Sequence, residues 1–439
     1  MAPASPHMKR VSVLLGHLDE TRTDAPLSEL MTHHCNALAS VGQPARNAPD
    51  DVVIVSALRT PLCKAKKGGF KDTMPDDLLA TVLSAVTERT GVDKSSVGDI
   101  VVGSVLGDGS QRAIQCRIAS LLTGFPEEVP IRTVNRQCSS GLQAIADVAA
   151  AIKSGYYDVG IGAGVESMTT NPMKWDGGVN PKVETHAAAA SCLLPMGITS
   201  ENVAEAFGVT RNKQDSMAAR SHARAASAAK AHKFDAEIVP VVTKVKDKAT
   251  GLENEVVISA DDGIRAGVTA AQLAKLRPAF KPNGTTTAGN ASQVTDGAAA
   301  VLMMKRSEAE RRGLQILGTF RAFAAVGCDP AVMGIGPAVA IPEACKKAGI
   351  SVKDIDLFEL NEAFASQASY CCEKLGLDEE KVNVNGGAIA LGHPLGATGA
   401  RCAATLLHEM NRRGPSCRYG VVSMCIGSGM GAAAVFENC

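Results

Sequence analysis

Two cysteines, a histidine and an asparagine–glutamate pair supply the residue types that nucleophilic attack and proton transfer need. Cys138 stands in Val134-Asn135-Arg136-Gln137-Cys138-Ser139-Ser140-Gly141. Before it comes a β-type run, Pro130 to Val134; after it, the alanines and aliphatics of Leu142 to Ile152 suit a buried helix. The cysteine therefore falls at a strand-to-helix turn, where unpaired N–H groups and the helix dipole favour an anion by roughly 0.3–1 kcal/mol. A thiol so placed is expected to titrate at about 3.5 to 7.5 instead of about 8.5, making a nucleophile at neutral pH. A cysteine among small residues can equally be a buried apolar side chain, so its company matters.

That company is specific. Asn383 to Arg401 is a glycine-dense loop holding Gly392-His393-Pro394-Leu395-Gly396 and running into a helical stretch, Ala400 to Asn411. Cys425 lies in Ser423-Met424-Cys425-Ile426-Gly427-Ser428-Gly429, at the end of an apolar run, and Asn361-Glu362-Ala363-Phe364 precedes a helix read as Ala363 to Lys374. Together these motifs resemble those of the thiolase family, over about residues 51 to 437.

The resemblance assigns roles. Cys138 would be the nucleophile that carries the acyl group, His393 its base, and Cys425 the acid–base group for the second carbon centre. The backbone N–H groups of Cys138 and Gly427 would form one oxyanion hole; His393 and a water held by Asn361 would form the other, with Glu362 orienting water. Asn361-Glu362 can also be a plain helix N-cap. Ser292, in Gly289-Asn290-Ala291-Ser292, and Met196 would touch the pantetheine of coenzyme A, the co-substrate, while Lys and Arg of the insertion meet its phosphates. No metal and no permanently bound cofactor are implied.

The elements that position these residues read as a duplication. Ser96 to Val102 echoes Ser351 to Leu357, each after an amphipathic helix, Asp77 to Thr90 and Pro337 to Ala348. Thr133-Val134-Asn135 echoes Asn383-Val384-Asn385, and Tyr157 to Gly162 echoes Tyr419 to Ser423. Alternating strands and helices in two copies predict two α/β layers with mixed sheets; the resemblance sharpens this to a thiolase-like duplicated five-layer α/β/α/β/α sandwich with an inserted loop domain. The expected divisions are 1–50 presequence and linker, 51–168 with 284–314 the N-terminal half, 169–283 the inserted domain covering CoA, and 315–439 the C-terminal half. The insertion holds a helical stretch from Arg211 to His232.

Composition narrows the partners. Zero formal net charge over 439 residues argues against nucleic acid or an anionic membrane as bulk partner, and 3% aromatics against a base-stacking surface. The 13 cysteines show no Cys-x-x-Cys pair, which points to a reducing compartment without a disulfide framework; Cys371-Cys372 read as core. Near the terminus, Arg10-Val11, five residues, then His17-Leu18 matches a type-2 peroxisomal targeting signal, with Val11, Leu14, Leu15 and Leu18 on one helical face for an import receptor. Removal near Cys35 and location in the peroxisome follow as expectations, as does a homodimer through an open sheet edge near Cys138.

The resemblance also bears on substrate. Short-chain acetoacetyl-type thiolases carry Tyr-His-Met-Gly where this chain reads Leu194-Pro195-Met196-Gly197. That departure favours a degradative 3-ketoacyl-CoA thiolase, releasing acetyl-CoA and a shortened acyl-CoA by a ping-pong route at the last step of fatty acid β-oxidation. Left open are an acetoacetyl-CoA thiolase running in the condensing direction and, of another class, an inactive acyl-CoA-binding scaffold. A 3-ketoacyl synthase lacks the second cysteine, so Cys425 speaks against it. A low-pKa thiolate is open to peroxide, and Cys192, in the movable-looking run Ala187 to Cys192, is expected to trap Cys138 as a redox disulfide.

Overall fold

The computed structural model describes residues 47–107, 111–173, 177–247 and 250–439. The expected targeting residues Arg10, Val11, His17 and Leu18, and the expected cleavage near Cys35, lie outside the described residues.

The chain first lays down β1 (Val52–Arg59), α1 (Pro75–Glu88), β2 (Asp99–Gly103), α2 (Gln111–Leu122), β3 (Ile131–Val134), α3 (Ser140–Lys153) and β4 (Val159–Ser167). Every residue of β1 and of β4 is buried, as strands covered on both faces must be, which is why they read as continuous apolar or small-residue runs. A stretch with α4 (Met196–Phe207), α5 (Arg211–Lys230) and a hairpin, Val241–Lys246 with Glu253–Ile258, intervenes before β5 (Thr295–Lys305). Then follow β6 (Gly318–Gly327), α6 (Gly336–Lys347), β7 (Leu357–Leu360), α7 (Ala365–Leu375), α8 (Leu395–Arg413), β8 (Tyr419–Ile426) and β9 (Met430–Glu437).

Strand pairing repeats as the sequence echoes do. In the first part β2 runs parallel to β3 and β4, β4 antiparallel to β5, and β5 antiparallel to β1. In the second, β7 runs parallel to β8, β8 antiparallel to β9, and β9 antiparallel to β6. Even the place of β3 has its counterpart, a single parallel bridge between Phe358 and Val382. A short antiparallel pairing of Val53 with Thr319 and Ile54 with Gly318 joins the two sheets along β1 and β6.

Period-two burial makes five layers of these elements. Ile100 and Val102 face α1 and α2, packing with Leu79, Leu83 and Cys116, whereas Val101 between them faces α3. The central layer is α3 and α8, whose Leu142, Ile145, Leu406 and Met410 pack between Val301 of one sheet and Val422 and Met424 of the other. Val421, Ala433 and Val435 face the opposite way, onto Ile341, Ala344, Cys371 and Cys372 of α6 and α7. Each large aliphatic side chain so buried stabilises the fold by about 1.5–3 kcal/mol.

Helices sandwiched on both sides must approach closely, and glycine makes that possible. A Cβ added to Gly141 would stand 2.7 Å from the Gly396 carbonyl oxygen, and one added to Gly399 would collide with the backbone of Leu142. This contact corrects the expected start of α8 at Ala400. Leu395 to Gly399 are already helical because their glycines pack against α3, a tertiary contact that outweighs weak local propensity. The helix expected from Ala363 begins at Ala365, with Phe364 at its N-cap and Gln367 reaching back to the Phe364 N–H. Asn361 and Glu362 are therefore not its caps. The run expected to move, Ala187 to Cys192, is a short helix, Ala187–Ser191, that Cys192 terminates.

Candidate active site

The turn between β3 and α3 is built by its own side chains. Asn135 Oδ1 accepts from the Gln137 N–H at 2.9 Å, and Ser140 Oγ accepts from the Arg136 N–H at 2.9 Å. Gln137 is held at φ +49°, a left-handed conformation that costs a non-glycine residue of order 1 kcal/mol. The strain presents Cys138, one residue ahead of the N-cap Ser139. The Cys138 sulfur receives the backbone N–H of Gly427 and its own.

Cys138 does not have the depressed pKa expected of it. It is 3% exposed, packed with Met168 and Leu395 and fringed by Ala65, Val105 and Leu106. Burial dominates and pushes the thiol up to about 11; the two N–H groups pull the other way and Glu166 adds to the rise. Desolvating a thiolate costs more than the helix N-terminus returns. At rest Cys138 is a thiol.

His393 ends the glycine loop. Gly392, at φ +120°, lies so close to the Thr295 side chain that no Cβ fits there. The His393 N–H donates to Gln293 O at 2.9 Å, while Gln293 Nε2 reaches the carbonyls of Gly263, Ile389 and Ala390. The buried imidazole has Nδ1 2.6 Å from Thr398 Oγ1 and Nε2 3.3 Å from Asn361 Nδ2. Burial, then the charge of Arg401, lowers its pKa to about 3, so the ring is neutral. Asn361 leaves β7 with its N–H on Ser423 O at 2.9 Å, and its buried Oδ1 has no protein partner.

Cys425 stands near the end of β8, fully buried with Met333 and Ala363, and half-buried Met196 and Phe364 close the cluster. Burial first, then neighbouring Cys138, pushes its thiol well above the ordinary range. Gly427 follows, and Ser428, at φ +65°, turns the chain into β9. The structure thus brings Cys138, Cys425 and Gly427 together, and His393 together with Asn361.

The other expected residues are distributed around them. Glu362 accepts from Ser221 Oγ at 2.6 Å, Asn383 Nδ2 at 2.9 Å and the Ile389 N–H at 3.2 Å, so both its oxygens bind α5 to the histidine loop. Half-buried Ser292 donates its N–H to Ala363 O at 3.0 Å, beside an Ala291–Phe364 bridge. Exposed Cys192 has its Sγ 3.7 Å from Ser428 O, next to the Gly427 turn.

Three residues the motifs did not single out also build the site. Thr398 contacts the imidazole, and Gln293 holds the histidine backbone. Buried Glu166 accepts from the N–H groups of Val105, Leu106 and Gly396 at 2.9, 3.2 and 3.0 Å, fastening the first turn of α8 beside Cys138. A buried carboxylate at the end of an apolar strand was the available signal for Glu166, and a threonine one turn into the helix after the histidine was that for Thr398. No group of three or more metal-ligating side chains occurs among the described residues, and none of their helices is long and apolar enough to cross a membrane. A thiol, a neutral imidazole, a second thiol and converging N–H donors can together carry out acyl transfer.

Comparison with known proteins agrees with this chemistry. Residues 52–307 match the family described as thiolase, N-terminal domain, and residues 314–438 match thiolase, C-terminal domain. The chain is 69% identical over 389 residues to a peroxisomal 3-ketoacyl-CoA thiolase 2 of Arabidopsis thaliana, covering 89% of this chain and 84% of that protein. It is 55% identical over 430 residues to the peroxisomal 3-ketoacyl-CoA thiolase B of Rattus norvegicus, covering 98% and 99%. Among solved structures, the dimeric peroxisomal thiolase of Saccharomyces cerevisiae superposes with TM-score 0.81 at 44% identity, covering 92% of this chain and all of that one. Human mitochondrial 3-ketoacyl-CoA thiolase in complex with CoA superposes with TM-score 0.79 at 36% identity, covering 89% and 98%.

Proposed function

The chain belongs to the thiolase family along both of its halves, and we propose that it is a peroxisomal 3-ketoacyl-CoA thiolase that cleaves 3-ketoacyl-CoA with CoA into acetyl-CoA and a shortened acyl-CoA. One observation carries the residue assignment: Cys425 neighbours Cys138, whose sulfur receives the Gly427 N–H, and the Leu395 that packs on Cys138 lies two residues beyond His393.

In the first half-reaction His393 takes the Cys138 proton as sulfur attacks C3. The C2–C3 bond breaks, its electron pair passes to C2 as the enolate of acetyl-CoA, and Cys425 protonates that carbon. The acyl group stays on Cys138 as a thioester. In the second, Cys425 takes the proton of incoming CoA, whose thiolate attacks the thioester carbonyl; the acyl group passes to CoA, and the leaving Cys138 sulfur recovers its proton from His393. The N–H groups of Cys138 and Gly427 form one oxyanion hole; His393 and a water on Asn361 Oδ1 form the other, each donor being worth about 10²–10³ in rate. With the thiol near 11 and the imidazole near 3, the resting proton stays on sulfur, so its transfer to His393 accompanies attack as charge develops in the oxyanion hole. Glu362 serves by holding the histidine loop. Residues 169–283, with Met196, and Ser292 just beyond, would cover the CoA tail.

Sequence and surface support the remaining parts. Among the described residues β3 pairs on one side only, and Ile114, Ile118, Leu121 and Leu122 form an exposed stripe on adjacent α2; a second copy would cover both. The Arg10–Leu18 motif would engage the import receptor. The Cys138–Cys192 disulfide, formed when peroxide oxidises both thiols and is itself reduced to water, now rests only on the place of Cys192 beside Ser428, because burial removes the low-pKa thiolate and Ala187–Ser191 is a helix rather than a movable run. Mixing the enzyme with ketoacyl-CoA in the absence of CoA, followed by peptide mass spectrometry, tests the central claim. The acyl mass belongs on the Cys138 peptide; finding it on Cys425 reverses the two roles.

A further inference from the structure

We propose that Thr398 is the positioning residue that sets the tautomer of His393, keeping the resting proton on Nδ1 and leaving Nε2 as the lone pair that receives the Cys138 proton. The proposal rests on the reading of His393 as the base. Thr398 is fully buried in the first turn of α8, five residues after the histidine. Its Oγ1 lies 2.6 Å from His393 Nδ1 and 3.1 Å from Pro394 O.

A hydroxyl has one proton, and a carbonyl oxygen can only accept. When Thr398 donates to Pro394 O, the back-bond that threonine commonly makes inside a helix, its oxygen faces Nδ1 with lone pairs, so Nδ1 must carry hydrogen. Nε2 is then an acceptor, and Asn361 Nδ2 points a donor at it from 3.3 Å. In the opposite arrangement Thr398 donates to Nδ1, Nε2 carries the proton, and that N–H faces the Asn361 amino group, donor against donor. The first arrangement satisfies both ring nitrogens. It also leaves Asn361 Oδ1, buried and unpartnered in the protein, free to accept from a water.

The same arrangement prepares the next step. When Nε2 takes the thiol proton, the chain Nδ1–H to Thr398 to Pro394 O is already made, so the ring keeps its place. The new Nε2–H opposes the Asn361 amino group, which gives way, and donates to the substrate oxygen. Where many catalytic histidines lean on a carboxylate, this one leans on a neutral hydroxyl and carbonyl, which orient the ring while raising its basicity less than a carboxylate would. The proton is consequently easy to return.

Nitrogen NMR of the full-length enzyme labelled with ¹⁵N-histidine tests this, the His393 signals being identified by their loss in His393→Asn. The expected spectrum has protonated Nδ1 and unprotonated Nε2; a protonated Nε2 in the resting enzyme overturns the proposal. Kinetically, Thr398→Val should lower kcat by about 10²-fold or more with KM within a few-fold, and Thr398→Ser should restore most of it. Normal kcat in Thr398→Val beside a dead His393→Asn defeats the proposal and spares the base; full turnover in His393→Asn defeats both. Should the valine variant fail to fold, the wild-type spectrum still decides.

Discussion

The two repeats bring equivalent helices, α3 and α8, to the same crossing, yet they enter those helices differently. α3 is reached from β3 through a turn so tight that Gln137 must take a positive φ. α8 is reached through a long glycine loop from Asn383, itself at φ +47°, whose side chain exchanges hydrogen bonds with the Leu360 backbone in place of a full strand. A short turn delivers a short side chain, cysteine, against the backbone N–H of Gly427. A long loop can carry an imidazole inward and pin it from Gln293, Thr398 and Asn361. Duplication supplied two helix N-termini, and their entries diverged into one that carries the proposed nucleophile and one that carries the proposed base.

The sharpest way to break this comparison is to remove each chemical group in turn. Cys138→Ala should abolish turnover, a loss of about 10⁶-fold, since nothing else can hold the acyl group. Cys425→Ala should cost about 10²–10⁴ while Cys138 still acylates, as observed by mass spectrometry; equal losses with no acyl-enzyme would erase the division of labour. Next in size comes the scaffold behind the second entry. Arg401 of α8 donates to Glu359 of β7 at 2.9 Å, both buried, so one ion pair ties the helix that orients His393 to the strand that leads to Asn361. Burial already raises the Glu359 carboxyl to about 8, so in Arg401→Met it takes up a proton and loses its hydrogen-bond partner, which should destabilise the fold by about 1–3 kcal/mol in denaturant unfolding.

A comparable effect probes the crossing itself. Gly399→Ala places a methyl group against the Leu142 backbone and should cost about 1–3 kcal/mol, with the loss visible in Tm and in kcat together. Smallest, and most directed at the first entry, is pH. Because burial holds the Cys138 thiol near 11 and His393 near 3, both are neutral across the range between. Iodoacetamide labelling of Cys138 should therefore climb about tenfold per pH unit from 7 to 10, since only the thiolate reacts. A plateau beginning near pH 7 would restore the depressed pKa that the turn alone suggests.

Much of this was legible in the residues. The echo Tyr157 to Gly162 with Tyr419 to Ser423 falls on β4 with β8, whereas Ser96 to Val102 with Ser351 to Leu357 marks the approaches to β2 and β7 but is three residues out of register, since Asp99 and Leu357 hold equivalent places. Apolar and small residues report burial locally, and period two reports a strand, so repeated strands are readable one at a time. The start of α8 was not, because its first turn is helical through contact with α3. Nor was the commitment of Glu362 to Ser221, Asn383 and Ile389, whose positions in the sequence give no hint that they surround it.

The sequence by itself determined the inventory: two cysteines and a histidine in glycine-rich motifs, duplicated α/β units to carry them, and glycine where helices must touch. Tertiary structure decided what those groups are at rest. A thiol's charge depends on everything within several ångströms of it, and the walls around Cys138 come from Ala65, Val105, Met168 and Leu395, spread over most of the chain. Local sequence announces a helix N-terminus that welcomes a thiolate, but only the assembled layers exclude the water that the thiolate would need.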